Sequence, residues 1–569
     1  MSCNVVVGVL FLFLCYSNIN GSPGYPPSPV RFANRTGIVY TTKGPVRGEI
    51  LTTVEKNISY ASFNGIPFAK PPVGNLRFQA PVEADSWTEA LETVGQRKGC
   101  PQFDTEYIGD EDCLFINVYT PQTEFNSHHN GTRPVMVWIH GGLFTVGSAN
   151  SSLFGPDFLL EEDVVVVYIK YRLGALGFLS LNHPNATGNA GLKDQILGLK
   201  WVQENMGKFG GDPDQVTIFG YGSGAVSVEL LTLSEQSKGL YHRSISMSGS
   251  PFNDWVISST DEAMSNAYLL GSALNLNDSQ PEDEFLKALS RAPAQDIVMA
   301  TQKIFNMKNK SKGTPFDGLF KPVVEDELVS KDAVLSGNLY AKYGRGEFHD
   351  LPHLIGFVDA EVAGLFPPTL RYLPGVTDEN AGELLDKLVT KVKSMKRPPA
   401  HLLSFFKDYE KMRSEGATET EEKEDLINKA VQITSDFFYV SGITTTQWWR
   451  AGMTAPIYYY RNSFKDGGLE HTIDGIKLHD VGHNDDLAQI FWMPSLNAET
   501  IGNSSSISLR RKRMVRMWTN FAKCGYPTRI DMTDPFLQVK WLPSFVGRNY
   551  LEIGENITMK YDLPKLSTE

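Results

Sequence analysis

The residues Gly220-Tyr221-Gly222-Ser223-Gly224 lie one position away from a nucleophilic-catalysis motif. In Gly-x-Ser-x-Gly a serine occupies the apex of a sharp strand-to-helix turn, and small residues two before and two after it let the backbone fold tightly. Such a hydroxyl attacks an acyl carbon while a neighbouring base removes its proton. Here Gly220 and Gly224 have the flanking spacing, but the residue midway between them is Gly222, which has no side chain. The adjacent hydroxyl, Ser223, comes one residue late. The elements that must position this turn fix its register. Val216-Thr217-Ile218-Phe219 reads as a short buried strand, and Ala225-Val226-Ser227-Val228-Glu229-Leu230-Leu231 as a helix with small residues at its start. Placing Ser223 at the apex instead requires a slip of about 3.8 Å. The flanks would then be Tyr221 and Ala225, and a tight turn has no room for tyrosine. Gly222 at the apex is the reading adopted, with Ser223 as nucleophile kept as the alternative.

Several blocks widen the argument. They are Phe63-Asn64-Gly65-Ile66-Pro67-Phe68-Ala69-Lys70-Pro71-Pro72-Val73-Gly74, Glu111-Asp112-Cys113-Leu114-Phe115-Ile116-Asn117-Val118-Tyr119, Tyr171-Arg172-Leu173-Gly174, Gly188-Asn189-Ala190-Gly191-Leu192-Lys193-Asp194-Gln195 and Phe209-Gly210-Gly211-Asp212-Pro213. With the turn, they make the chain resemble the cholinesterase-like, type-B carboxylesterases over nearly all of its length after residue 28. That family's turn reads Phe-Gly, an acid or Gln, the serine, Ala, then Gly-Ala. Gly222 takes the serine position and Ser223 the alanine position.

The resemblance implies an α/β-hydrolase fold. A large, mostly parallel central sheet is expected to be flanked by helices, with a small N-terminal antiparallel sheet and helical cap insertions. It also implies a single domain over 28–550 and a C-terminal tail over 551–569. Pro134-Val135-Met136-Val137-Trp138-Ile139 reads as a core strand. It leads into His140-Gly141-Gly142-Leu143-Phe144, which resembles the family's oxyanion loop. The donors then map to the N–H groups of Gly142, Leu143 and Ser223. Losing one such donor typically costs about 2.7–4 kcal/mol of barrier. Leu143 stands where relatives have Gly or Ala and is expected to lean into the space of an acyl group. The acid maps to Glu361, followed by Val362 where relatives usually have Gly, and the base maps to His483. Scaffold pairs are expected between Arg47 and Glu111 and between Arg172 and Asp194. Without an Oγ at 222, His483 has no hydroxyl to deprotonate. The resemblance thus implies a pseudoenzyme that binds a small hydrophobic ligand or an extracellular protein and needs no cofactor. The alternative is an active carboxylic ester hydrolase using Ser223 with His483 and Glu361.

Bulk properties bound the partners. The 569 residues are 41% hydrophobic and 21% charged, ordinary for a globular chain with a large core. A formal net charge of -12 argues against nucleic acid and anionic membrane surfaces, which both require a basic patch. The apolar run Val5 to Cys15 has signal-peptide length, with cleavage expected near Gly21 (segment 1–21). No later run is long enough for a membrane span. Asn34, Asn57, Asn130, Asn150, Asn185, Asn277, Asn309, Asn503 and Asn556 each begin an N-glycosylation sequon. A secreted, extracellular glycoprotein is therefore expected. Of five cysteines, Cys3 and Cys15 fall in the signal segment. Cys100 and Cys113 are a near pair expected to be a disulfide in an oxidising compartment, and the resemblance implies one there. Cys524 reads as a buried free thiol, the other reading being an intermolecular link. The acidic run from Glu415 to Asp425 reads as a solvated loop leading into a helix. His479, Asp480, His483, Asp485 and Asp486 are acid- and histidine-rich, but lack His-Glu-x-x-His spacing and a second ligand cluster. No metal site is assigned.

Overall fold

Seven strands, most of them rich in valine, isoleucine and aromatic residues, run parallel through the centre of the chain in a computed structural model. It describes residues 34–125, 132–311, 318–365, 381–394, 400–415, 420–465, 470–478, 480–502, 505–528, 534–545 and 549–561. The strands are β1 (Arg35–Tyr40), β2 (Pro45–Thr52), β3 (Ser59–Pro67), β4 (Phe115–Thr120), β5 (Arg133–Ile139), β6 (Val165–Ile169), β7 (Gly211–Tyr221), β8 (Arg243–Met247), β9 (His353–Val358), β10 (Ile457–Asn462), β11 (Tyr550–Ile553) and β12 (Ile557–Lys560). Their order across one sheet is β1-β2-β3-β4-β6-β5-β7-β8-β9-β10-β11-β12. The pairs from β6 to β11 are parallel. Strands buried on both faces read as continuous apolar runs, and β6, Val-Val-Val-Tyr-Ile, is buried throughout. Successive side chains alternate between faces. On β5 Val135, Val137 and Ile139 join one core, while Met136 and Trp138 join the other. The second core is closed by the helix Ser506–Cys524 through Met514, Trp518 and Phe521.

The expected N-terminal antiparallel strands are present, but they are not a separate sheet. β3 pairs antiparallel with β4 and β4 with β6, so they extend the central sheet. The cap insertions are helical. Thr260–Ala273, Glu282–Arg291 and Ala294–Ser311 lie between β8 and β9. Ala381–Lys393, Ala400–Glu415, Thr420–Ser435 and Ser441–Arg450 lie between β9 and β10. Of the stretch expected as a tail over 551–569, the part to Lys560 contributes to the sheet, since β11 pairs with both β10 and β12, and 562–569 lie outside the described residues.

Cys100 and Cys113 form the disulfide. Arg172 and Asp194 form the buried pair, at 2.6 and 2.8 Å. Arg47 does not reach Glu111. It lies on half-exposed β2 and pairs with Glu92 at 3.5 Å. Glu111 is taken by Arg77 at 2.6 and 2.8 Å. The same guanidinium also donates to the carbonyls of Ser290 and Ala292, at 2.8 and 2.6 Å. Arg77 thus serves a carboxylate and a helix C-terminus together, where a cation is favoured. Cys524 is free but exposed, not buried. It is the last residue of its helix, and its thiol donates to the Asn520 carbonyl at 3.1 Å.

The acidic run begins at the end of helix Ala400–Glu415 and enters helix Thr420–Ser435, with 416–419 outside the described residues. Among the described residues no helix is long and apolar enough to cross a membrane. Asn34, Asn57, Asn185, Asn277 and Asn556 are exposed and Asn150 is half-buried. Asn130, Asn503, the side chain of Asn309 and the signal segment lie outside the described residues.

Candidate functional site

The carboxyl ends of β5, β7 and β9 meet at one edge of the sheet, where open α/β folds place their sites. β5 and β7 are in register through Ile139 and Gly220, and β7 and β8 through Tyr221 and Met247. Gly222 then turns the chain, at φ 52° and ψ -122°, into the helix Ser223–Thr232. Glycine adopts this left-handed conformation at no steric cost. Its neighbours must be small as well. A Cβ at Gly224 would sit 2.1 Å from the Ile139 carbonyl oxygen, and one at Gly220 would sit 2.5 Å from the Gly224 backbone. The turn is therefore the tight elbow read from the sequence, with Gly222 at its apex.

The side-chain direction at this apex points to the base. A Cβ built on Gly222 would lie 2.7 Å from His483 Nε2. Ser223 opens the helix instead, and its buried Oγ accepts from the Phe144 N–H at 3.3 Å. Among the described residues, Ser223 and His483 share no hydrogen bond. On the far side of the ring, His483 Nδ1 donates to the Glu361 carboxylate at 2.6 Å. Glu361 is fully buried, and its other oxygen accepts from the Val358 N–H at 3.0 Å. The backbones are joined too: the His483 N–H donates to the Glu361 carbonyl at 3.1 Å. A Cβ at Gly364 would stand 2.2 Å from the His483 carbonyl oxygen, so the acid's loop packs directly on the base's loop. Val362, the departure beside the acid, is buried and donates its N–H to Ser435 Oγ at 2.9 Å.

Other groups hold this half of the site. Asp485 accepts from the Gly482 N–H at 2.7 Å and from His471 Nε2 at 2.9 Å, fixing the loop that carries His483. Asp486 is buried, with Oδ2 lacking a hydrogen-bond partner. Burial, and then the negative charge of Glu361, push its carboxyl up to about 7. The helix Thr420–Ser435 passes into helix Ser441–Arg450 through a π-helical turn, Asp436–Val440. That turn brings the Tyr439 ring to 5.0 Å from the His483 ring. The sequence singled out Asp485 and Asp486 only as candidate metal ligands, and His479 lies outside the described residues. Tyr439 carried no local signal, because a π turn has no residue signature comparable to a glycine elbow.

The oxyanion-like loop follows β5. His140 is buried and stacked on Tyr171 at 4.4 Å, and burial holds its imidazole down to about 4. Tyr171 donates its hydroxyl to the His140 carbonyl at 2.7 Å. Gly142, Leu143 and Phe144 all have positive φ, at 119°, 55° and 61°. For the two side-chain-bearing residues this costs on the order of 1–3 kcal/mol each, so the loop is held in an unfavourable shape by its surroundings. Gly142 and Leu143 also stand in the wall of a cavity whose other apolar lining includes Phe103, Val146, Phe305, Leu319 and Phe320.

An elbow, a buried His–Glu pair and an amide-bearing loop at adjacent strand ends form the skeleton of an ester-hydrolysis centre. The sequence model of the carboxylesterase family matches residues 35–568. The chain belongs to the carboxylesterase family. It is 30% identical to mouse (Mus musculus) acylcarnitine hydrolase, over 95% of this chain and 92% of that protein. It is 30% identical to the juvenile hormone esterase of Heliothis virescens, over 88% of this chain and 87% of the relative. The human (Homo sapiens) cocaine esterase is also 30% identical, over 89% of this chain and 88% of its own length. This carboxylesterase-family chain keeps the family's fold and presents glycine where its elbow faces the histidine.

Proposed function

We propose that this chain is a secreted, glycosylated carboxylesterase-family pseudoenzyme that binds a small hydrophobic ligand or an extracellular protein instead of hydrolysing an ester. One observation carries the reading: the elbow direction aimed at His483 Nε2 belongs to Gly222, whose added Cβ would lie only 2.7 Å from that nitrogen. No Oγ is available there for the imidazole to deprotonate, and covalent acyl transfer needs one. The hydroxyl of Ser223 is engaged by the Phe144 N–H and does not substitute. Without a positioned nucleophile, His483 and the loop amides retain at most the residual rate of a broken triad, about 10³–10⁴-fold over water. Export and glycosylation rest on the apolar segment Val5 to Cys15, the sequons and the Cys100–Cys113 disulfide. The ligand-binding part rests on the apolar lining of the small cavity beside the loop.

Fluorophosphonate labelling of the purified, folded protein tests it. The expected result is no adduct. An adduct on Ser223 establishes the alternative, an active hydrolase, and overturns the reading.

A further inference from the structure

We infer that N-glycans on Asn34 and Asn556 guard the two open edges of the central sheet against pairing with a second copy of this chain. The inference rests on the chain being exported and glycosylated, and it gives two of the sequons a task the others do not share.

The sheet is open at both ends. β1 and β12 are the outermost strands of its order, and among the described residues each pairs on one side only, β1 with β2 and β12 with β11. A strand at an edge presents a row of unpaired N–H and C=O groups, which can template a strand from another molecule. Among the described residues no other element satisfies the backbone of either strand. Their composition does little to blunt them. Neither contains proline. Past an irregularity between Arg35 and Ile38, β1 continues as uncharged Ile38-Val39-Tyr40. β12 carries one charge, Lys560, at its last position. Each edge also ends in an exposed aromatic ring: Tyr40 is 69% exposed and Tyr561, directly after β12, is 66% exposed. Aromatic residues strengthen cross-strand pairing.

Both edge strands begin at a sequon. Asn34 immediately precedes β1 and Asn556 immediately precedes β12, and both asparagines are exposed. The other exposed sequons among the described residues lie elsewhere. Asn57 is in the hairpin between β2 and β3, strands that are each paired on both sides. Asn185 and Asn277 are in connections outside the sheet. Paired strands lie only about 4.7–4.9 Å apart. A branched, hydrated glycan rooted at the start of that lane excludes a foreign strand, and it displaces no part of the fold.

Symmetry sharpens the expectation. Antiparallel pairing of one edge with the same edge of a second copy is two-fold and closes at a dimer. Baring one edge therefore permits a dimer and nothing larger, because the remaining glycan still blocks the opposite edge. Baring both lets every copy pair on two sides, so assembly becomes open-ended.

The full chain, secreted from a glycosylating host and sized by light scattering after gel filtration, tests this. Glycopeptide mass spectrometry should find glycan on Asn34 and on Asn556. Relative to wild type, Asn34→Gln and Asn556→Gln should each double the mass, and the double variant should exceed the doubled mass. Asn185→Gln and Asn277→Gln should leave it unchanged. Thr558→Ser keeps the sequon and should stay at the wild-type mass. Thr558→Lys added to Asn556→Gln should return the mass to that of wild type by charging the bared edge. Should a variant not be secreted, enzymatic removal of the glycans from folded wild-type protein replaces it and should give the large species. A wild-type mass for either single variant, equal association in the control variants, association that Thr558→Lys leaves untouched, or bare Asn34 and Asn556 in a chain glycosylated elsewhere each overturns the proposal. The underlying reading fails separately, through a chain that carries no glycan at any sequon.

Discussion

The two halves of the centre differ in what fixes them. On one side stand Glu361, His483, Asp485 and His471, each engaged through side-chain hydrogen bonds of 2.6–2.9 Å to another loop or to its own. On the other side stand the elbow and the oxyanion-like loop, whose shape is set by close backbone approach at Gly142, Gly220 and Gly224. Of the residues that depart from the family's pattern, Leu143, Gly222 and Ser223 belong to this second half and Val362, beside the acid, to the first. A turn built from backbone contacts survives the loss of its apical side chain, because that side chain never supported it. A histidine held by a buried carboxylate likewise stays in place without a hydroxyl to act on. Retention of the dyad is therefore no sign of retained turnover.

The contrast can be broken most severely at the flank of the elbow. Gly224→Ala drives a methyl group to 2.1 Å from the Ile139 carbonyl, where neither backbone can yield. The expected cost is about 3 kcal/mol or more, visible as a large drop in the denaturant midpoint. A midpoint near wild type would show that the elbow is not close-packed. Gly222→Ser comes next. The backbone there suits glycine, so a side chain costs about 1–3 kcal/mol, and the His483 ring must withdraw from the new Cβ. The melting temperature should fall, and hydrolysis of a p-nitrophenyl ester should stay low while Ser223 and Leu143 remain. A rise in melting temperature would refute the strained apex.

On the dyad side, Asp486 gives a pH test. Its folded-state carboxyl lies at about 7 against an ordinary value of 3.8. Raised in the fold, it contributes stability that is fully present below about pH 4 and is lost as pH rises toward and through 7. Asp486→Asn removes that loss, so its melting temperature relative to wild type should be higher at pH 8 than at pH 4. A difference independent of pH would show that Asp486 is ionised in the fold. The smallest effect is expected at Cys524. Cys524→Ser should change stability by no more than about 0.5 kcal/mol and abolish alkylation of the folded protein by iodoacetamide. Residual labelling would mean that the Cys100–Cys113 bridge is open or that the segment carrying Cys3 and Cys15 is retained.

Much of this was legible in the sequence for stated physical reasons. Gly222 could be placed at the apex because tyrosine at 221 cannot serve as a tight-turn flank. Two central strands, at 134–139 and 216–219, are legible as apolar, β-branched runs. What could not be read depended on which partner is nearest in space. Nothing local distinguishes Arg77 from Arg47 as the mate of Glu111, since the choice is made by the carbonyls ending helix Glu282–Arg291, more than two hundred residues away. Cys524 was misplaced because its burial depends on which side of the last helical turn meets the sheet. The strand β12 was hidden by its half-exposed, alternating residues at the sheet edge.

The π-helical turn at Asp436–Val440 has a consequence for insertions and deletions. Residues 420–450 form a single rod with one wide coil in it, and each residue of an α-helix advances about 100°. Upstream, Ser435 meets the acid's loop at Val362; downstream, Arg450 reaches buried Glu229 at 2.8 Å. The wide coil sets the phase between these two anchors, so that one rod can dock at both. Excising a single residue from it would leave either anchor intact but misalign the other by more than a quarter revolution.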